Sequence, residues 1–344
     1  MKAQSSEERC PSAVGTAEPT PTERMRAGPN LPQPSKSVWP KRIAALLVIS
    51  VCFFFLGKTL YGNLAQISSH QWQLRPVPLL ASFVLLGANL AVSALVWKMI
   101  LNLFGIRLPF SQSFKITSVS APGKYVPGKI WLYLGQIYLS QKAQIPKGIA
   151  LFSMLFLFGG YVLAGIVVFA FSLLFWEGFS PLLVAVFLLL SLCLFWVLFS
   201  GRAWKFMSGV LGRISGRFKD TAIPEQTTMD GGIFRIGQIL MILLADWMIF
   251  GVAVYFLINS FHQIDVQHTI ILCGIFAVSV LAGIVSFFVP AGLGVREGVQ
   301  SYLLSLFIPV SAAVLISLAM RVWMVLGETG CFLAALRIKQ PKLW

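Results

Sequence analysis

The sequence predicts an all-α membrane protein, a polytopic helix bundle of about seven or eight spans with two broken, re-entrant segments and a possible internal repeat. Three observations predict it. The 344 residues are 57% hydrophobic and 11% charged, with a mean hydropathy of +0.80, which a soluble domain of this length cannot hide. Apolar windows of about 20 residues recur along the chain, each long enough to cross a bilayer. Two Pro/Gly-rich stretches interrupt this pattern, Ala121–Trp131 and Pro290–Gly298.

In chain order, residues 1–40 are polar and rich in Pro, Ser, Thr and Glu. They lack apolar periodicity, so a disordered cytoplasmic tail is expected, followed by one transmembrane domain over 41–344. No cleavable signal peptide stands out. The first apolar run, Ile43 to Tyr61, follows Lys41 and Arg42 and reads as an uncleaved start helix. Further spans are expected at Val77–Leu101, Ile149–Trp176, Pro181–Ser200, Ile236–Ile258, Thr269–Phe288 and Val310–Leu336. The stretch from Asn102 to Lys147 is too apolar for a solvated loop and too broken for a clean span. A similar break after Phe288 leads into the short apolar run Val299–Ile308 and then Pro309.

The net charge of +15 raises nucleic acid as a partner, but the basic residues sit beside apolar spans and fit topology signals and anionic headgroup contacts better. Lys98, Arg107, Lys115, Lys124, Lys129, Lys142 and Lys147 surround the first break, and Arg202, Lys205, Arg213, Arg217, Lys219 and Arg235 fill a central loop. Inside-positive bias therefore puts the N-terminus, both breaks and the central loop on the cytoplasmic side. Arg337, Lys339 and Lys342 demand the same side for the C-terminus, which seven full crossings would not allow. An extra crossing, with Val299–Ile308 pairing with part of the final apolar region, would resolve the conflict.

Cys10, Cys52, Cys193, Cys273 and Cys331 are scattered without metal-type or paired spacing. His70, His262 and His268 all fall in expected outer loops, which argues against a histidine metal site or proton relay. Asp246, Arg321 and Glu328 lie in expected spans, where an ionisable group costs a few kcal/mol and faces a partner or a wet cavity. Two readings stay open for them. Arg321 pairs with Asp246 or Glu328 as structural glue, or the three line an intramembrane polar path.

The breaks carry the chemical signal. Irregular backbone at membrane depth is tolerated only where protein or a wet cavity satisfies its N–H and C=O groups. Pro127 suits the first turn of a new helix, and Gly123 and Gly128 permit sharp turns and close approach. A half-helix from about Gly128 through Tyr138 would aim its N-terminal dipole end at the break, where Lys124 and Lys129 add full charge. Gly292 and Gly294 loosen the second break, and a half-helix from Val295 carries Arg296, suited to bidentate phosphate contacts, and Glu297. Tyr125 and Trp131 complete the expected headgroup-binding set. Ordinary cytoplasmic turns also combine Pro-Gly with lysine, but two such breaks, each after spans and before a short apolar run, favour the re-entrant reading. Pro127 and Pro290 lie 163 residues apart, near half the chain, as an internal repeat would place them.

Pro122-Gly-Lys-Tyr-Val-Pro-Gly-Lys-Ile-Trp131 together with Pro290-Ala-Gly-Leu-Gly-Val-Arg-Glu297 resembles the lysylphosphatidylglycerol synthase transmembrane-region family, across residues 40–338. The resemblance implies a flippase-like inner-membrane domain of a bacterial or archaeal cell, with re-entrant helices that move polar lipids between leaflets. Ala291 stands where a second glycine is often found. No aminoacyl-transferase domain follows, so lysine transfer to lipid is not expected.

The leading expectation is a lipid translocator that moves a phosphate-bearing lipid or lipid-linked sugar, not an enzyme, with the phosphate on Lys124, Lys129 and Arg296. No nucleotide-binding Gly-x4-Gly-Lys-Ser/Thr run occurs, and no cofactor or metal is expected. The expected partners are membrane lipids of anionic type and no nucleic acid. The alternatives are a glycosyltransferase-like enzyme on lipid-linked substrates, poorly equipped with four Asp, and a non-catalytic subunit that holds a membrane or cytoplasmic protein partner through Arg202–Lys219.

Overall fold

The computed structural model describes residues 74–125, 130–176, 181–199, 232–286, 292 and 294–338. The expected tail, the first span Ile43–Tyr61 and the loop Arg202–Lys219 lie outside the described residues.

Nine α-helices run through the described residues: α1 Pro76–Leu103, α2 Phe110–Ser120, α3 Ile130–Lys142, α4 Lys147–Ser172, α5 Pro181–Phe199, α6 Gly232–Phe261, α7 Thr269–Val285, α8 Val295–Leu304 and α9 Val310–Leu336. Proline sets many of the starts. Pro109, Pro146 and Pro309 stand immediately before α2, α4 and α9, with φ values of −64°, −57° and −52°. Pro76 and Pro181 open α1 and α5. The ring fixes φ near its helical value, and an N–H that the first turn could not pair is absent.

The expected spans agree with α1, α4, α5, α6, α7 and α9 to within a few residues. Five of these, α5 excepted, have a stretch long and apolar enough to cross a membrane. α1 and α6 make the most extensive helix pair. Small residues bring helices close. A Cβ on Gly165 would stand 3.1 Å from the Trp247 ring, and one on Gly160 2.8 Å from Leu243. Without water between the helices, such close packing is what holds a membrane bundle together. Leu182, Leu189 and Trp196 of α5 are mostly exposed, as side chains facing hydrocarbon should be.

The first broken stretch folds as a hairpin. α2 runs in, a 3-10 turn over Ala121–Tyr125 follows, and α3 runs back along α2. Both open ends lie at one end of the bundle. Leu108, just before α2, and Ile145, just after α3, share a core cluster with Trp97 and Leu101 near the end of α1. Lys115 Nζ donates to the Ile338 carbonyl at 2.6 Å, so the end of α9 lies at this same end.

The second break is a hairpin of the opposite sense. α7 and α8 pack antiparallel. A Cβ on Gly283 would meet Arg296 Cβ at 3.6 Å near the tip, while Ile271, Leu272, Leu304 and Ile308 meet at the open end. That open end lies at the other end of the bundle, where the Phe307 ring stacks edge-on to Trp176 at 5.4 Å and to His268 at 5.8 Å.

This corrects the expectation that both breaks belong to one face. α8 has ten residues, about 15 Å, too short to cross a core of about 30 Å. It returns the chain to the face from which α7 set out, and α9 then crosses once. Arg337, at the end of α9, thus reaches the end of the bundle that carries Lys98, Arg107 and Lys115, its basic end, without the extra crossing expected from Val299–Ile308.

Candidate functional site

The tips of the two hairpins meet against α9. Glu328 joins the first tip to α9: it forms an ion pair with Lys124 Nζ, and its second oxygen accepts from the Tyr125 hydroxyl at 2.9 Å. Arg321 joins the second. Its guanidinium lies 3.8 Å from Glu297 and 5.2 Å from the centre of the Tyr125 ring, so one α9 residue faces both tips. Arg321 is the twelfth residue and Glu328 the nineteenth of the 27 in α9, so at 1.5 Å per residue they lie about 22 Å and about 12 Å from its C-terminal end. The cluster therefore sits between the middle of the span and its basic end.

Each tip has a local cause. At the first, a Cβ on Gly123 would lie 2.7 Å from the Leu132 nitrogen and 2.8 Å from the Trp131 carbonyl carbon, so only glycine lets the turn close on α3. At the second, Gly292 has φ of +67°, and a Cβ there would meet Gly283 Cα at 2.8 Å. Glycine is required twice over at that position. Gly294, at φ of +82°, leads into α8, and its N–H donates to Glu297 at 2.6 Å. Glu297 thus caps its own helix, as a carboxylate at a helix N-terminus should, and faces Arg321.

The described cluster holds three cations, Lys124, Arg296 and Arg321, against two carboxylates, Glu297 and Glu328. The two carboxylates are buried while the cations and the Tyr125 ring are half-buried, so the site is rich in donors and carries one surplus positive formal charge.

Of the residues singled out from sequence, Lys124, Tyr125, Arg296, Glu297, Arg321 and Glu328 come together, with Gly123, Gly292 and Gly294 shaping the tips. Lys129, Pro127 and Gly128 lie outside the described residues. Trp131 does not join the set. Its side chain is 51% exposed, and its backbone is what meets the tip at Gly123.

Asp246 also stands apart. It is fully buried, accepts from Asn89 Nδ2 at 2.7 Å and is hydrogen-bonded by the Tyr161 hydroxyl, tying α6 to α1 and α4. Its carboxyl is thus met by two neutral partners, Asn89 and Tyr161, rather than by Arg321. Asn89 and Tyr161 were legible as polar residues within apolar spans, but only ionisable groups draw notice on cost alone.

Fold and cluster define a polytopic membrane protein whose two re-entrant hairpins bring charged residues to membrane depth. The chain belongs to the family described as the lysylphosphatidylglycerol synthase TM region, whose model matches residues 42–327. It is accordingly an integral membrane protein of lipid metabolism or transport. No curated protein matches the chain significantly.

Proposed function

We propose that the protein carries a phosphate-bearing lipid headgroup across the bilayer, with the hairpin-tip cluster as its halfway site. The carrying observation is that two hairpins entering from opposite faces meet there, with three cations to two carboxylates. A lone anionic headgroup in hydrocarbon costs several kcal/mol, and fixed cations at mid-depth offset that cost. The phosphate would sit among Lys124, Arg296 and Arg321, while Glu328 keeps the Tyr125 hydroxyl and Glu297 the Gly294 N–H as donors. Each hairpin gives one leaflet its own approach to the shared site. Acyl chains remain in the bilayer throughout.

On this reading the basic end of the bundle faces the cytoplasm of a bacterial or archaeal cell, the protein lies in the inner membrane, and it is a translocator rather than an enzyme. Anionic phospholipids and lipid-linked sugar phosphates are the substrate classes that the charge favours.

The test is reconstitution into liposomes with headgroup-labelled lipids, neutral and anionic, with dithionite quenching to follow leaflet exchange and mass spectrometry to follow lipid composition. Faster exchange of the anionic lipids with unchanged composition supports translocation. A new lipid product from a lipid-linked substrate would replace it with the enzyme reading.

A further inference from the structure

The basic end of the bundle carries a concavity separate from the hairpin-tip cluster. It lies where α1 ends and α2 and α6 begin, has a volume of about 680 Å³, and shares no residue with the cluster. Lys98, Arg107 and Arg235 supply three cations to its wall, and Asn102 and Gln238 two amides. Met99, Leu103, Leu108 and Ile239 form the apolar remainder, and among the described residues no Asp or Glu lines it.

Inside-positive bias accounts for cations at this end of the protein, but it would spread them over the surface. Here residues from three separate segments converge on one concavity. None of the three cations forms an ion pair with a carboxylate among the described residues. The helix dipoles reinforce them. α2 starts at Phe110 directly after Pro109 on the rim, and Arg235 and Gln238 lie in the first two turns of α6, so two positive helix ends border the pocket. The C-terminal end of α1 opposes them with a partial charge, against three full ones. A volume of this size is ordinary for a small-molecule site and fits a phosphorylated headgroup or a small phosphorylated solute.

We infer that this pocket is a second anion site, which binds a phosphate-bearing group at the basic end of the bundle. The arginines supply forked N–H donors for phosphate oxygens, Lys98 a point charge, and Asn102 and Gln238 donors to ester or sugar oxygens. Three cations favour a phosphomonoester or pyrophosphate over a singly charged diester. The inference does not depend on translocation, because the pocket can bind whether or not the hairpin tips carry a headgroup.

The experiment uses the full chain in phosphatidylcholine nanodiscs. In one arm sodium pyrophosphate is titrated in by calorimetry. In the other, nanodiscs doped with phosphatidic acid are assayed by native mass spectrometry for lipid retained on the protein. The variants are K98Q/R107Q/R235Q and, as a comparison, K124A/R296A. The expected result is saturable binding in at least one arm, weakened at least tenfold in the triple variant, retained in K124A/R296A, and weakened by ~0.5 M salt. Binding of pyrophosphate identifies a soluble ligand class, and binding of phosphatidic acid alone identifies a lipid headgroup. Arg107 and Arg235 are exposed, so R107Q/R235Q supplies a second variant whose fold does not depend on the substituted side chains. The inference is overturned by no saturable binding in either arm, or by binding that neither K98Q/R107Q/R235Q nor R107Q/R235Q weakens.

Discussion

Glu328→Gln is the substitution that most directly probes how the hairpin tip is held. Glutamine keeps the shape but removes the charge that Lys124 pairs with, and it weakens the acceptor for the Tyr125 hydroxyl. The Glu328 side chain is 7% exposed and that of Lys124 31%. Breaking a fully buried pair from one side costs about 3–5 kcal/mol, whereas an exposed pair is worth about 0–1 kcal/mol. With one partner buried and the other a third open, the expected loss for E328Q is about 2 kcal/mol. Lys124→Met alone should cost a similar amount, since it strands the carboxylate. The double variant K124M/E328Q removes both charges and should recover much of the loss. A double-mutant cycle of reversible unfolding in mixed micelles, read by tryptophan fluorescence, should therefore give a coupling energy of about 1–2 kcal/mol. Additivity within about 0.5 kcal/mol would mean that Lys124 and Glu328 do not interact, and the reasoning would fail.

Three further outcomes follow from the same geometry. Gly292→Ala puts a Cβ 2.8 Å from Gly283 Cα at a φ of +67°, and it should lower stability by about 2 kcal/mol or more in the same unfolding assay, against about 0.5 kcal/mol or less for Gly237→Ala, where a Cβ meets nothing within 4 Å. Tyr161→Phe withdraws one of the two side-chain donors on buried Asp246 and should cost about 1–2 kcal/mol, while Asp246→Asn should cost less than Asp246→Leu, which strands both Asn89 and Tyr161. In a cysteine-free background, single cysteines at His268 and Phe307 should react with a membrane-impermeant maleimide from one face of oriented vesicles, and a cysteine at Gln144 from the other. Labelling of all three from one face would break the opposed-hairpin topology.

The sequence was most readable where the chain obeys one rule at a time. Long apolar windows located α1, α4, α6 and α9 to within about four residues at each end, because hydrocarbon thickness sets a minimum length. Pro290, Gly292 and Gly294 marked the second break, because a break at membrane depth needs residues with few other uses. α2 was not legible as a helix. Its sequence, Phe110–Ser120, is a mixture of Ser, Gln, Lys and Thr with scattered apolar residues, and its helicity rests on burial between α1, α3 and α9 rather than on apolar pattern. The opposed entry of the hairpins was also hidden. Charge bias reports the loops, but the tip of a re-entrant hairpin is not a loop, so Lys124 and Arg296 obey the site rather than the topology rule. Asp246, Arg321 and Glu328 look alike in sequence, each an ionisable group in an apolar helix. They are separated only by neighbours distant in the chain: Asn89 and Tyr161 for Asp246, the hairpin tips for the other two.

Leaflet exchange in proteoliposomes at matched protein density tests the central claim most directly, with wild type compared against K124A/R296A and against protein-free vesicles. Wild type should speed exchange of an anionic headgroup-labelled phospholipid at least tenfold over protein-free vesicles, and the double variant, still folded by its tryptophan emission, should fall most of the way back. Exchange by the double variant at the wild-type rate would contradict a role for the hairpin-tip cations, and exchange by wild type no faster than protein-free vesicles would contradict translocation of that lipid altogether.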